Sequence, residues 1–158
     1  MSSETRIRPG TTQDLDAIGE LWKEFMDFHS QRDPHFTRSA DGDEAFREYL
    51  AGHISSGGSC VLVAERAGEV IGYCLAVVAK SPPVVAERDH GTILDLAVTA
   101  RYRRQGIGRR LYETALAWLV EHGMHRVELR AVVSNEVSTA FWKKLGFKAY
   151  IETLFRDV

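Results

Sequence analysis

The sequence predicts one mixed α/β domain in which a central sheet carries helices on both of its faces. Three observations point there. Apolar β-rich runs alternate with amphipathic helical runs along the chain, a pattern that layers helices against strands. Two of the β runs, 59–65 and 70–79, are apolar almost without interruption, so both of their faces must be covered. Third, a buried-strand pattern at 93–98 leads through a basic glycine loop straight into a helix. At 158 residues the chain can build one real core but not two ordinary domains. Residues 1–158 are therefore read as a single domain with its core over about 5–157.

Residues 5–9 alternate and form a short first strand closed by Pro9-Gly10. Thr11 and Asp14 have the spacing of a capping box, and Leu15, Ile18, Trp22, Phe25, Met26 and His29 then share one helical stripe. Residues 30–42 are polar, hold Pro34 and read as a loop. A second helix follows, facing inward with Phe46, Tyr49, Leu50 and His53. The two apolar runs are joined by Arg66-Ala67-Gly68-Glu69, a hairpin signal. Residues 80–90, with Pro82-Pro83, form a loop before the strand at 93–98. The next helix places Ile107, Leu111, Ala115, Trp118, Leu119 and His122 on one face and stops at Gly123. Residues 126–132 read as a strand, 135–145 as a helix stopped at Gly146, and 147–158 as one or two final strands.

Apolar content of 44% and charged content of 27% are those of a soluble globular protein. A net charge of −2 gives no global attraction to nucleic acid or an anionic membrane. The arginines of 101–110 lack interleaved aromatic platforms, so no nucleic acid is expected. There is no long apolar run and no leader pattern after Met1, which excludes a membrane partner and places the chain in the cytoplasm as an expectation. Cys60 and Cys74 lack metal-ligand or redox spacing and read as small buried hydrophobes in a reducing compartment. His29, Asp33 and His35 cluster in sequence without ligand spacing on a defined scaffold, and no metal is expected.

The chemistry concentrates between 95 and 118. A helix start has unpaired N–H groups and a positive dipole end, and so binds anions. Gly106 and Gly108 remove the Cβ atoms that would hold a phosphate away, while Arg103, Arg104, Arg109 and Arg110 add forked donors. Neither a P-loop nor a dinucleotide fingerprint fits: no Lys-Ser or Lys-Thr follows the glycines, and Leu111 stands where a third glycine would be needed. A pyrophosphate-bearing ligand fits best.

Arg103-Arg104-Gln105-Gly106-Ile107-Gly108 resembles the (Q/R)-x-x-G-x-(G/A) acyl-CoA loop of the GNAT superfamily of N-acetyltransferases. Downstream, NEVSTAFWKKLGF, from Asn135 to Phe147, is similar to that superfamily's N-x-x-A-x-x-φ-Y-x-x-x-G-F segment. The resemblance implies the GNAT fold: a mixed, mostly antiparallel sheet flanked by helices, with two central strands splayed apart. It implies acetyl-CoA as co-substrate, its pantetheine arm lying against backbone groups of Leu96, Ala97 and Val98. Its pyrophosphate would then lie on the N–H groups of Arg104, Gln105, Gly106, Ile107, Gly108 and Arg109. Acetyl would pass directly to an amine acceptor with no acetyl-enzyme, and a homodimer is the state many relatives adopt. A non-catalytic acyl-CoA sensor is the alternative.

Two proton-handling roles are left to fill. Asp95, a carboxylate in an apolar strand beside the loop, is the candidate base, and desolvation would raise its pKa into a useful range. A structural carboxylate is the competing reading. Strict alternation puts Ile93, Asp95 and Ala97 on one face and Leu94, Leu96 and Val98 on the other. Glu87, Asp89 and His90 are weaker base candidates. For the thiolate donor, the chain departs from the family: Trp142 occupies the usual Tyr position, and an indole N–H donates a hydrogen bond without giving up its proton. Trp142 either lines the thioester site or packs the helix; Tyr73, Tyr102 and Tyr150 are alternative donors. Asn135 suits a helix N-cap, and the resemblance gives that position a cofactor contact. The acceptor side is expected in the first two helices and the loops 30–42 and 80–90, with Glu24, Asp27 and Asp33 suited to a cationic amine.

Overall fold

The computed structural model describes residues 3–87 and 89–158. Met1 and Ser2, included in the single-domain reading, and Arg88, within the loop expected at 80–90, lie outside it. The elements run β1 (Arg6–Pro9), α1 (Leu15–Ser30), α2 (Gly42–Ile54), β2 (Ser59–Arg66), β3 (Glu69–Lys80), β4 (Asp89–Val98), α3 (Ile107–Glu121), β5 (Val127–Leu129) and α4 (Glu136–Lys144). Short 3-10 turns occupy Thr12–Asp14, Pro34–Phe36 and Ala100–Tyr102. The strands lie in sequence order across one sheet, antiparallel from β1 to β4 and parallel between β4 and β5.

Local chemistry explains the junctions. The Thr11 N–H donates to the Asp14 carboxylate at 2.8 Å, closing the turn that starts α1. Arg8 forks onto both Asp14 oxygens at 2.8 and 2.9 Å and reaches Glu65 of β2 at 2.8 Å. That charge-assisted cluster ties β1, α1 and β2 together and holds the Asp14 carboxyl below the usual carboxylate range. Between β2 and β3, Ala67 (φ 52°) and Gly68 (φ 79°) are both left-handed, the two-residue turn whose twist matches a hairpin.

The sheet separates two cores. On one face α3 and α4 pack Leu111, Leu119 and Trp142 against Leu62, Cys74 and Ile93. On the other, Ile18 of α1 and Leu50 of α2 pack against Val63, Tyr73 and Leu75. Each fully buried side chain of this size contributes about 1.5–3 kcal/mol through removal from water.

The strand expected at 93–98 already begins at Asp89, within the stretch read as a loop, and three further features differ from the sequence expectation. Residues 147–158 form no strand; the β-prone run is there, but the single chain offers it no paired edge. Second, β5 covers Val127–Leu129 rather than 126–132, because it pairs with β4 only from Gly91 to Ile93. Third, the alternation in β4 is broken. Ala76 faces Ile93, and the next pair is Leu75 with Asp95, leaving Leu94 as an extra, bulged residue. Ile93 therefore lies in the α3/α4 core, opposite to Asp95 and Ala97. Those two share the α1/α2 face with their cross-strand partners Leu75 and Tyr73. The expected grouping of Ile93 with Asp95 and Ala97 is corrected accordingly.

Candidate active site

The bulge coincides with the place where the sheet opens. Beyond Ile93 and Leu129 the two parallel strands are no longer paired, so the last five residues of β4, Leu94 to Val98, border a gap on the β5 side. A Cβ on Gly72 of β3 would lie 2.9 Å from the Ala97 carbonyl oxygen, so that carbonyl is turned toward β3. Successive strand residues aim their backbone groups at opposite neighbours. Leu96 and Val98 consequently present theirs to the gap, and Ala97 does not. The Val98 oxygen already accepts from Arg103 Nε at 2.9 Å.

Where β4 ends, Glu24 of α1 fixes the turn. Its carboxylate accepts from the Ala100 N–H at 2.8 Å and the Thr99 hydroxyl at 2.9 Å, and Arg103 lies 3.4 Å away. The loop that follows is left-handed at Arg104 (φ 60°) and at Gly106 (φ 76°), a conformation glycine adopts freely and a non-glycine residue holds under strain. Helix α3 closes its first bond from the Arg110 N–H to the Gly106 oxygen at 3.1 Å. The backbone N–H groups of 104–109 find no partner among the described residues. Gly108 lies close to two neighbours: a Cβ there would be 3.4 Å from Leu96 and 3.5 Å from Phe141.

The arginines expected to act alike have different neighbours. Arg103 is committed to Val98 and Glu24, and Arg109 pairs with Glu113 at 2.7 Å. Gln105 accepts from Arg66 at 3.0 Å, while Arg104 and Arg110 have no ion-pair partner among the described residues. A run of free N–H groups at a helix start, opened by a left-handed glycine and flanked by Arg104, fits a phosphate-bearing group.

Across the same strand the surroundings are different. Burial pushes the Asp95 carboxyl up to about 6, against the opposing pull of the Tyr73 hydroxyl. Tyr73 is fully buried, and its oxygen makes no hydrogen bond of normal geometry. The Asp95 charge raises both the Tyr73 phenol and that of the half-exposed Tyr49 on α2, adding to the larger effect of burial. Trp22 and Phe46 stack at 4.6 Å and Phe46 meets Tyr73 edge-on at 6.4 Å, so aromatic rings from α1 and α2 back this site.

Other expected residues lie elsewhere or already have partners. His90 sits between Ser81 at 3.2 Å and Glu128 at 3.7 Å, about 16 Å down the strand from Asp95 at ~3.3 Å per residue. Asp89 opens β4 opposite Lys80, and Glu87 is exposed. Of the acids suited to a cationic amine, Glu24 holds the β4 turn, Asp27 pairs with Arg38 at 3.0 Å, and Asp33 caps the turn at His35. Tyr102 lies under Arg66 and Arg101, and Tyr150 under Arg126. Trp142 is 8% exposed and packs edge-on against Tyr112, Phe141 and Phe147. The Asn135 side chain caps α4, accepting from the Ser138 N–H at 3.2 Å. His29 is buried among Phe25, Phe28 and Phe36, and burial lowers its pKa. Among the described residues no group of three or more His, Cys, Asp or Glu side chains is placed to hold a metal ion, and no helix is long and apolar enough to cross a membrane.

Sequence reasoning missed three contributors. Phe141 touches the Gly108 position, Arg66 reaches the loop from the hairpin, and Tyr49 sits beside Asp95. Only Phe141 left a signal, as the apolar neighbour of Trp142 in the α4 motif.

Comparison with known proteins bears on this geometry. The profile described as the acetyltransferase (GNAT) family matches residues 18–147. An N-alpha-acetyltransferase of Sulfurisphaera tokodaii is 31% identical over 107 residues, covering 63% of this chain and 63% of that protein. The chain spans between 42% and 63% of the length of the first four curated relatives it matches. A crystal structure of a mutant of the BH1408 protein from Bacillus halodurans superposes with a TM-score of 0.88 at 23% identity, over 97% of this chain and 99% of that one. An aminoglycoside N-acetyltransferase in complex with CoA superposes with a TM-score of 0.78 at 16% identity, over 100% of this chain and 97% of that one. With its family profile matched over most of its length and its fold shared with these structures, the chain belongs to the acetyltransferase (GNAT) family.

Proposed function

We propose that the protein is an acetyl-CoA-dependent N-acetyltransferase that passes an acetyl group directly to a primary amine of a small molecule, polyamine-like compound or peptide. One observation carries the reading. The Leu94 bulge sets free backbone donors and a glycine loop on one side of β4 and a desolvated carboxylate on the other. The CoA-bound neighbour of the same fold and the N-alpha-acetyltransferase relative support it.

Acetyl-CoA supplies the thioester-bound acetyl group. On the chain's side, the N–H groups of Arg104, Gln105, Gly106, Ile107, Gly108 and Arg109 hold the pyrophosphate, with the Arg104 guanidinium beside it. Leu96 offers backbone groups to the pantetheine arm in the gap. Asp95, with a pKa of about 6, is ionised at neutral pH yet basic enough to take the proton that the amine loses on attack. Trp142 supports the site by packing Phe141 against Gly108; the departing thiolate takes its proton from water.

The buried Trp142, in the place of an acid tyrosine, favours a second reading as a non-catalytic acyl-CoA sensor. Thiol release from acetyl-CoA against a panel of amines, run beside calorimetry, separates the two. Release with one amine class establishes the transferase. Binding with no release from any amine favours the sensor, and absence of binding sinks both.

A further inference from the structure

We propose that Tyr73 is a positioning residue for this transfer: its hydroxyl donates to one oxygen of the Asp95 carboxylate and leaves the other to the acceptor amine. The inference rests on the reading of Asp95 as the base. Its first support is the register of the sheet. Tyr73 stands opposite Ala97 and Leu75 opposite Asp95. Tyr73 and Asp95 are therefore diagonal neighbours on one face, a separation that a side chain as long as tyrosine spans. The Leu94 bulge makes them so. In a regular ladder Asp95 would stand opposite Cys74, whose side chain lies in the α3/α4 core.

The second support is an unmet demand. Tyr73 is fully buried, and its hydroxyl has no partner of normal geometry. A buried phenol left in that state costs free energy and calls for an acceptor. Asp95 is that acceptor: apart from burial, Tyr73 is the one described residue that acts on its carboxyl. A small turn of the Asp95 side chain about its Cα–Cβ bond aligns the pair. Tyr73 has no such freedom, because Phe46, Leu50, Val63 and Leu75 pack the core around it. A donor fixed in the core holds the carboxylate in one orientation, while Asp95 keeps part of its surface open.

The other groups on this face do not compete for that place. Tyr49 of α2 shares the Asp95 charge without a hydrogen bond, and His53, one turn further on, meets Ser59 at 2.7 Å. From α1 come Ile18, Leu21 and Trp22, while Glu24 is held by the Thr99–Ala100 turn. β2 adds only Val61 and Val63. The Cys74 thiol of β3, on the far face, is pushed up by burial and stays neutral.

Tyr73→Phe keeps the ring and removes only the hydroxyl. The Asp95 carboxyl is titrated by carbon NMR in parent and variant, beside the acid limb of kcat/KM for the amine that the thiol-release panel identifies. Both midpoints are expected to move up by about one pH unit or more, as loss of a hydrogen bond to a charged group requires. On the plateau above them kcat is expected to fall about tenfold through lost orientation, with the KM for acetyl-CoA unchanged. A carboxyl midpoint that stays in place would overturn the proposal, whether or not any amine is turned over. A midpoint that moves while the plateau kcat is unchanged would overturn the positioning role. Turnover that survives Asp95→Asn, or no thiol release with any amine, would overturn the reading of Asp95 as the base and this role with it.

Discussion

The two faces of β4 are built from different materials. Toward α3 and α4 the strand meets a site made of backbone: N–H groups at a helix start, a left-handed Gly106, and Gly108 close against Leu96 and Phe141. Toward α1 and α2 it meets a site made of side chains: Asp95, Tyr73 and Tyr49, with an aromatic backing. A backbone site depends on a few residues that keep atoms out of the way. A side-chain site depends on residues far apart in sequence that happen to converge. The first can stay as it is while the side chains of the second change.

Substitutions can break that division. Asp95→Asn should cost about 10²–10⁴ in turnover, the range of a lost general base, and change CoA affinity less than twofold by calorimetry. If CoA binding falls in step with turnover, the two faces are not separable. With a carboxyl pKa of about 6, kcat/KM should drop about tenfold for each pH unit below 6, while the residual rate of Asp95→Asn stays flat across that range. Gly106→Val places a β-branched residue at φ 76°, which costs about 1–2 kcal/mol and should weaken CoA binding about tenfold. Its effect on the apparent pKa of the amine step should be nil.

The smallest effect concerns stability. The folded Asp95 pKa lies above its ordinary value of 3.8, so the folded state binds the proton more tightly than the unfolded one. Stability therefore falls as pH rises from about 4 to about 6 and stays lowered above that. Removing the charge should stabilise the protein: Asp95→Asn is expected to raise Tm by about 2–4 °C at pH 8, and to bring no gain at pH 4. A lower Tm at pH 8 would mean that the carboxylate is held by partners and is structural.

How far the sequence could be read follows the same division. The glycine loop, the helix after it and the capping residues are local, and their chemistry lies within a few positions of itself; Gly106, Asn135 and the Thr11–Asp14 turn were legible for that reason. The side chains around Asp95 come from α2, β3 and β4, and no spacing relates Tyr49 to Tyr73. The bulge was invisible because Leu94 is as apolar as its neighbours, so nothing in the pattern marks an extra residue. The final strand was legible as a tendency but not as a structure, since a strand needs an edge and the sequence does not say whose.

The bulge has a consequence for how this strand can vary. A strand is a two-beat pattern, and Leu94 is the one added beat that sets the phase of everything after it. Delete it, and Asp95 follows Ile93 directly, still opposite Leu75 in a regular ladder; keep it but draw it into the ladder, and every later side chain of β4 changes sides together. Asp95 would then swing to the α3/α4 face and Leu96 to the α1/α2 face, with no residue replaced. Exchange of single side chains can retune this strand gradually, but loss of the bulge with its residue kept would invert it in one step, so the irregularity matters as much as the composition.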